Sequence, residues 1–259
     1  MEPGLPVLPY IEQPVLDLGF YRLEAFPILV GAALIAEFQI VMRRAPKLGI
    51  DRKTASSLLG WAIFLGIVGA HLFDVLAYYP ERLRQNPLEL LRFWGGISSF
   101  GGMLGGLLGL YVVMWRKRMS RPDMLRFVDC LIFALPFTLA IGRLGCALQH
   151  DHPGVSSAHW LAVQFPDGPR FDLGLLEFFY VSLIAALFAW LGRRRWPDGF
   201  FIGLFFAAYG PVRFVLDSLR VSEARYFDWT PGQYLSLVAA GIGVWTLFTV
   251  LRPRAALKD

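Results

Sequence analysis

The chain has 259 residues, of which 56% are hydrophobic and only 17% charged, with a mean hydropathy of +0.50. That balance is too apolar for a soluble domain of this size and predicts an integral membrane protein. The net charge of +5 does not imply a nucleic-acid partner, because the basic residues gather on alternate connections between apolar stretches. Two cysteines provide neither a disulfide nor a metal framework.

In chain order, apolar runs near the ~20 residues needed for a span occur at 25–43, 57–79, 93–115, 125–147, 173–192, 199–219 and 231–251. They predict an all-α polytopic protein of seven transmembrane helices. Residues 1–24, rich in Pro, Leu and Tyr, are expected to lie at the outer interface, and no cleavable signal peptide is expected. Arg43, Arg44, Lys47, Arg52 and Lys53 follow the first span, and Arg116, Lys117, Arg118, Arg121 and Arg126 follow the third. Arg193, Arg194 and Arg195 follow the fifth, and Arg252, Arg254 and Lys258 the seventh. These ends are assigned to the cytoplasm, with the N-terminus outside and the C-terminus inside. No long polar linker or repeat interrupts the chain, so residues 1–259 are expected to form one integral membrane domain, with 148–172 as its longest outer loop.

The polar residues within these runs collect toward the outer side. The second span carries His71 and Asp74. The third opens with Trp94 and continues through Ser98, Ser99, Gly101 and Gly102, so many glycines that a neighbouring helix or a lipid must approach closely. Glu37 and Asp129 fall in the cytoplasmic half and are expected to partner the basic loops. Cys130 and Cys146 lie on one predicted helix, too far apart by helical rise to pair.

Arg143 and Arg213 stand out. A guanidinium in hydrocarbon costs roughly 2.5–3.5 kcal/mol on insertion scales, so it is rare without a partner or a task. By helical rise the two lie roughly 27 and 20 Å along a core about 30 Å thick, which predicts a shared buried anion site. In a membrane the abundant anion is a lipid phosphate. Tyr209, Arg213, Asp217 and Arg220 share one face of the sixth helix. That stripe reads either as an intrahelical charge ladder or as one wall of the site. At the exit of the fourth span, Gly142 and Gly145 strip side chains from the helix around Arg143, and Cys146 follows. His150-Asp151-His152 comes next, ahead of Gly154. Adjacent residues on a turn rarely converge on one ion, so no metal is expected there, and no cofactor is implied.

These pieces, in this order and spacing, resemble the prolipoprotein diacylglyceryl transferase family over nearly the whole chain. Ser99-Phe100-Gly101-Gly102, Gly142-Arg143-Leu144-Gly145 through Gly154, and Tyr209-Gly210 with Arg213, Asp217 and Arg220 carry the likeness. Asp129 and Gly69-Ala70-His71 add to it, and Glu177 matches the end of a further family stretch. The chain departs from the family's usual residues at several places. Phe26 stands for Tyr, Phe100 for His, Cys146 for Asn and Asp151 for a longer acid, and most of 171–176 differs.

The resemblance implies transfer of a diacylglyceryl group from phosphatidylglycerol to the lipobox cysteine in a prolipoprotein signal peptide, releasing glycerol 1-phosphate. It implies a multi-pass protein of the bacterial inner membrane, with membrane lipids as partners and its site toward the outer face. The nucleophile is a thiolate, and charge grows on the departing phosphate, so fixed cations favour the reaction. Arg143 and Arg213 are expected to clamp the phosphate and Arg220 to guide the headgroup. His150, Asp151 and His152 are the favoured source of a general base, with His71 as another. The surviving arginines speak for lipid binding more directly than for transfer. A divergent lipid-binding member with a different acceptor, or none, is therefore the alternative. A transporter is disfavoured, because no polar path continues to the cytoplasmic side.

Overall fold

The computed structural model describes residues 7–19, 22–92, 98–221 and 225–252. The opening of the third predicted span at 93–97, residues 1–6 and 20–21 of the outer segment, and Arg254 and Lys258 lie outside them. A short hairpin of β1 (Val15–Asp17) and β2 (Arg22–Glu24) leads into α1 (Ala25–Arg44), α2 (Arg52–Phe73), α3 (Pro80–Gln85), α4 (Ser99–Arg116) and α5 (Arg121–Gln149). Strands β3 (Pro153–Ser156), β4 (Val163–Phe165) and β5 (Gly168–Asp172) follow, then α6 (Leu173–Leu191), α7 (Phe200–Ser218) and α8 (Pro231–Leu251).

Among the described residues, six helices are long and apolar enough to cross a membrane: α1 extended to Leu48, α2 extended to Ala77, and α5, α6, α7 and α8. The 18-residue α4 stands where the third span is predicted. The protein is thus a helical, polytopic membrane protein. Leu108, Leu183 and Trp245 point outward from their helices because lipid is as apolar as they are. Two compact units divide the chain, one of Val41–Val128 and one of Met1–Ile40 with Asp129–Asp259.

The Val41–Val128 unit is built on α2 against α4. A Cβ on Gly69 would lie 2.6 Å from both the Gly101 carbonyl oxygen and Gly105 Cα, so backbone meets backbone. Any side chain would part the helices. Ser98 caps α4 by accepting from Gly101 N at 3.3 Å, while its own amide donates to Ala70 O at 3.0 Å. This contact accounts for Gly101, Gly102, Gly105 and Gly106 of the third predicted span.

The other unit gathers most of α1, α5 from Asp129 onward, α6 to α8 and both small sheets. Helix α7 follows Gly199 at φ 94° and has no side-chain cap of its own. Asp129 of α5 supplies one, its Oδ1 accepting from Ile202 N at 2.9 Å. The acid expected to partner a basic loop therefore caps a helix N-terminus. Glu37, given the same expectation, instead accepts from Thr138 Oγ1 at 3.0 Å. At the start of α8, Thr230 and Gln233 form a reciprocal capping box.

The predicted outer loop at 148–172 is largely folded. It forms a three-stranded antiparallel sheet in the order β3-β5-β4. Leu8 adds to its edge, donating to Ala162 O at 2.8 Å and accepting from Gln164 N at 2.9 Å. The arm around Leu8 is thereby pinned to the protein.

Candidate functional site

The turns of α5 nearest the sheet carry Arg143 and Cys146. The sheet then hands the chain to α6 through Asp172, whose Oδ1 accepts from Leu175 N at 3.0 Å and caps the helix. Glu177 follows just over one turn later. Helix α7 presents Tyr209, Arg213 and Asp217 at successive four-residue steps along one face.

These side chains meet in a buried chain of charges. Glu177, 1% exposed, pairs with Arg143 Nε at 2.9 Å and accepts from Arg213 Nη1 at 2.8 Å. Tyr209 donates its hydroxyl to the same carboxylate. Arg213 Nη2 then reaches Asp217 at 2.8 Å, and Arg220 Nε lies 3.1 Å from that acid. Asp217, fully buried, also accepts from Thr230 Oγ1 at 2.6 Å. The intrahelical ladder of the α7 stripe therefore exists, and Arg213 extends it to Glu177 and Arg143.

Among the described residues, three guanidinium groups share two carboxylates in this cluster. Burial, then the positive charge of Arg213, pushes the Arg220 guanidinium down to about 10 despite Asp217. A dianionic or monoanionic phosphate would add negative charge to the cluster, and each guanidinium offers five N–H donors in a planar fork. The backbone holds Arg220 in place, with Gly154 bridged to it and Val155 N donating to Leu219 O at 2.9 Å. Gly154 lies in β3, where an added Cβ would come within 3.1 Å of Phe171 O and Leu173.

The turn after α5 divides its labour. His150 has left-handed backbone (φ 53°), its Nδ1 lies 2.5 Å from Asp172 Oδ2, and its Nε2 contacts Ile11 O at 2.9 Å. Tyr10 stacks on its ring with centroids 4.0 Å apart. Its partners are thus the α6 cap and the N-terminal arm. Burial raises the carboxyl of Asp172 above its ordinary range in this setting. His152 and Asp151 pair with each other through Nδ1 and Oδ1. Against the expectation for adjacent residues, they converge on Cys146, with one ligand atom from each of the three within 4.8 Å of the others. Arg143 Nη1 in turn approaches Cys146 Sγ at 3.8 Å, which connects this corner to the charge cluster.

Not every predicted residue joins the cluster. On Gly142 an added Cβ would find nothing within 4 Å, whereas on Gly145 it would come 3.0 Å from the Phe26 ring. Gly145 therefore serves helix approach and Gly142 keeps space open. Ser99, Gly101, Gly102 and His71 belong to the Val41–Val128 unit, where Gly101 and Gly102 face α2. Buried His71 there has its Nε2 at 3.0 Å from Glu89 O. Sequence reasoning missed Thr230 and Asp172. The Thr-Pro-Gly-Gln pattern at 230–233 signals a helix cap, but nothing in it signals a hydroxyl on Asp217.

Fold and site together define a polytopic membrane protein with a buried arginine–carboxylate cluster suited to an anionic group. Residues 13–249 match the family profile for prolipoprotein diacylglyceryl transferase. The phosphatidylglycerol–prolipoprotein diacylglyceryl transferase of Nitratidesulfovibrio vulgaris is 30% identical over 263 residues, covering 96% of this chain and 97% of the relative. The enzyme of that name from Photobacterium profundum is 31% identical over 252 residues (91% and 92%), and that from Chlorobaculum tepidum 29% over 247 (87% and 83%). The chain belongs to the prolipoprotein diacylglyceryl transferase family.

Proposed function

We propose that this protein transfers the diacylglyceryl group of phosphatidylglycerol to the lipobox cysteine of a prolipoprotein. The observation that carries this reading is the convergence of Arg143 and Arg213 on one buried carboxylate, with Arg220 beside them. In the reaction a C–S bond forms at the glyceryl carbon as the C–O bond to phosphate breaks. The electron pair passes to glycerol 1-phosphate. Arg143 and Arg213 meet the growing charge from fixed positions in a dry site, where such donors act most strongly. Glu177 and Asp217 hold the two guanidiniums apart and oriented while no phosphate is bound, and Arg220 receives the headgroup.

The thiol proton must also leave. The Cys146–Asp151–His152 corner beside Arg143 supports that step, with the Asp151–His152 pair oriented as a base and His150 committed elsewhere. The relatives' names support the two substrates. The alternate basic connections support seven spans in the bacterial inner membrane, N-terminus and active site toward the outer face.

Purified protein, labelled phosphatidylglycerol and a lipobox peptide test the proposal. Label on the peptide cysteine that vanishes with Arg213→Ala is the expected result. Lipid binding without transfer would favour the divergent lipid-binding reading, which the Phe100 and Cys146 departures keep in view.

A further inference from the structure

Cys146, Asp151 and His152 bring a sulfur, a carboxylate oxygen and an imidazole nitrogen within 4.8 Å of one another. Three ligands of this kind are what a catalytic zinc site uses, leaving a tetrahedral ion one position for substrate. The donor set selects the metal, since thiolate and imidazole suit Zn²⁺ and a lone carboxylate with soft partners does not suit Mg²⁺ or Ca²⁺. The surroundings agree. Cys146 is buried at the end of α5, while the Asp151 and His152 side chains are 31% and 22% exposed, so the corner has a wall and an entrance. Arg143 shares Glu177 with Arg213, so the ion's charge here is offset by its own two anionic ligands, the Cys146 thiolate and the Asp151 carboxylate. Its Nη1, 3.8 Å from Sγ, is placed as an N–H donor to a ligating sulfur, the kind of support that tunes metal sites.

We propose that Cys146, Asp151 and His152 form a binding site for a divalent thiophilic cation, Zn²⁺, which takes the acceptor thiol as its fourth ligand. The ion's role rests on the transferase reading above; its binding does not. A thiol that coordinates such an ion is deprotonated outright. The lipobox sulfur would release its proton to water on the exposed Asp151 side and remain as thiolate beside the Arg143 phosphate clamp. The C–S bond then forms as the C–O bond to phosphate breaks. In the loaded protein the ion takes over the acid–base duty of the Asp151–His152 pair.

The test uses the full chain in detergent, stripped with a chelator and titrated with Co²⁺ as a visible stand-in and with Zn²⁺ as competitor. One equivalent of Co²⁺ should give a sulfur-to-metal charge-transfer band that Zn²⁺ displaces and a lipobox peptide intensifies. Cys146→Ser should abolish the band, and Asp151→Asn should weaken binding by more than roughly 10-fold, the lower end of what even supporting residues cost a metal site. Cys130→Ser should leave the titration unchanged. No saturable Co²⁺ binding, or a band that survives Cys146→Ser, overturns the site. A band that the peptide does not alter overturns the thiol as fourth ligand. Failure of the transferase reading is separately visible as absent label transfer in protein that still binds Co²⁺.

Discussion

Replacing Glu177 by Leu should be among the most destabilising single changes in this protein. The carboxylate is 1% exposed and lies between Arg143 Nε at 2.9 Å and Arg213 Nη1 at 2.8 Å. Removing one member of a buried ion pair costs roughly 3–5 kcal/mol, because the partner charge is left uncompensated. The burden falls unequally. Arg213 keeps the Asp217 carboxylate at 2.8 Å, whereas Arg143 is left with Tyr209 and the weak contact to Cys146 Sγ. Adding Arg143→Leu to Glu177→Leu should therefore recover stability, with a coupling toward the upper end of the roughly 0.5–3 kcal/mol seen for residues in contact. Adding Arg213→Leu should recover less, since that change also takes from Asp217 its 2.8 Å partner and leaves it to Arg220 and Thr230. Unfolding in detergent micelles, followed by denaturant titration of the four variants, gives the cycle. Phosphatidylglycerol should also raise the midpoint of Glu177→Leu more than that of the unmodified protein, its phosphate taking the carboxylate's place. Equal midpoints for Glu177→Leu and the parent, or no coupling with Arg143→Leu, would refute the reasoning.

Arg143→Lys should lower label transfer in the peptide assay by roughly 10²–10³, the usual effect of losing one preorganised donor, because an ammonium lacks the planar fork that serves Glu177 and phosphate together. Gly69→Ala and Gly105→Ala should each destabilise by roughly 1–3 kcal/mol through overpacking of the α2–α4 contact. Gly31→Ala, where a Cβ meets nothing within 4 Å, should be neutral or stabilising in the same unfolding assay. The Asp172 carboxyl is raised by burial above its ordinary 3.8, so the folded state holds that proton more tightly than the unfolded chain does. Its contribution to stability is full below that value and falls as pH climbs through the raised one. Asp172→Asn should remove that decline from a plot of unfolding midpoint against pH, and an unchanged plot would speak against it.

Much of this protein is determined by the sequence alone, because the bilayer leaves so few solutions. A run of about 20 apolar residues must become a helix when no water can satisfy its backbone. The ends of α1, α6, α7 and α8 accordingly fall within a residue of the predicted ones. Arg143 and Arg213 were legible for the same reason: an obligatory charge in hydrocarbon needs a counterpart. Which counterpart it finds depends on how helices rotate against one another, and spacing along a single helix says nothing of that. Only the tertiary structure brings Glu177 of α6 between two arginines of α5 and α7, sets Thr230 on Asp217, and parts His150 from His152 although they flank the same residue. The small sheet was hidden too, since its short strands outside the apolar runs are fixed by partners such as Leu8, more than a hundred residues away in the chain.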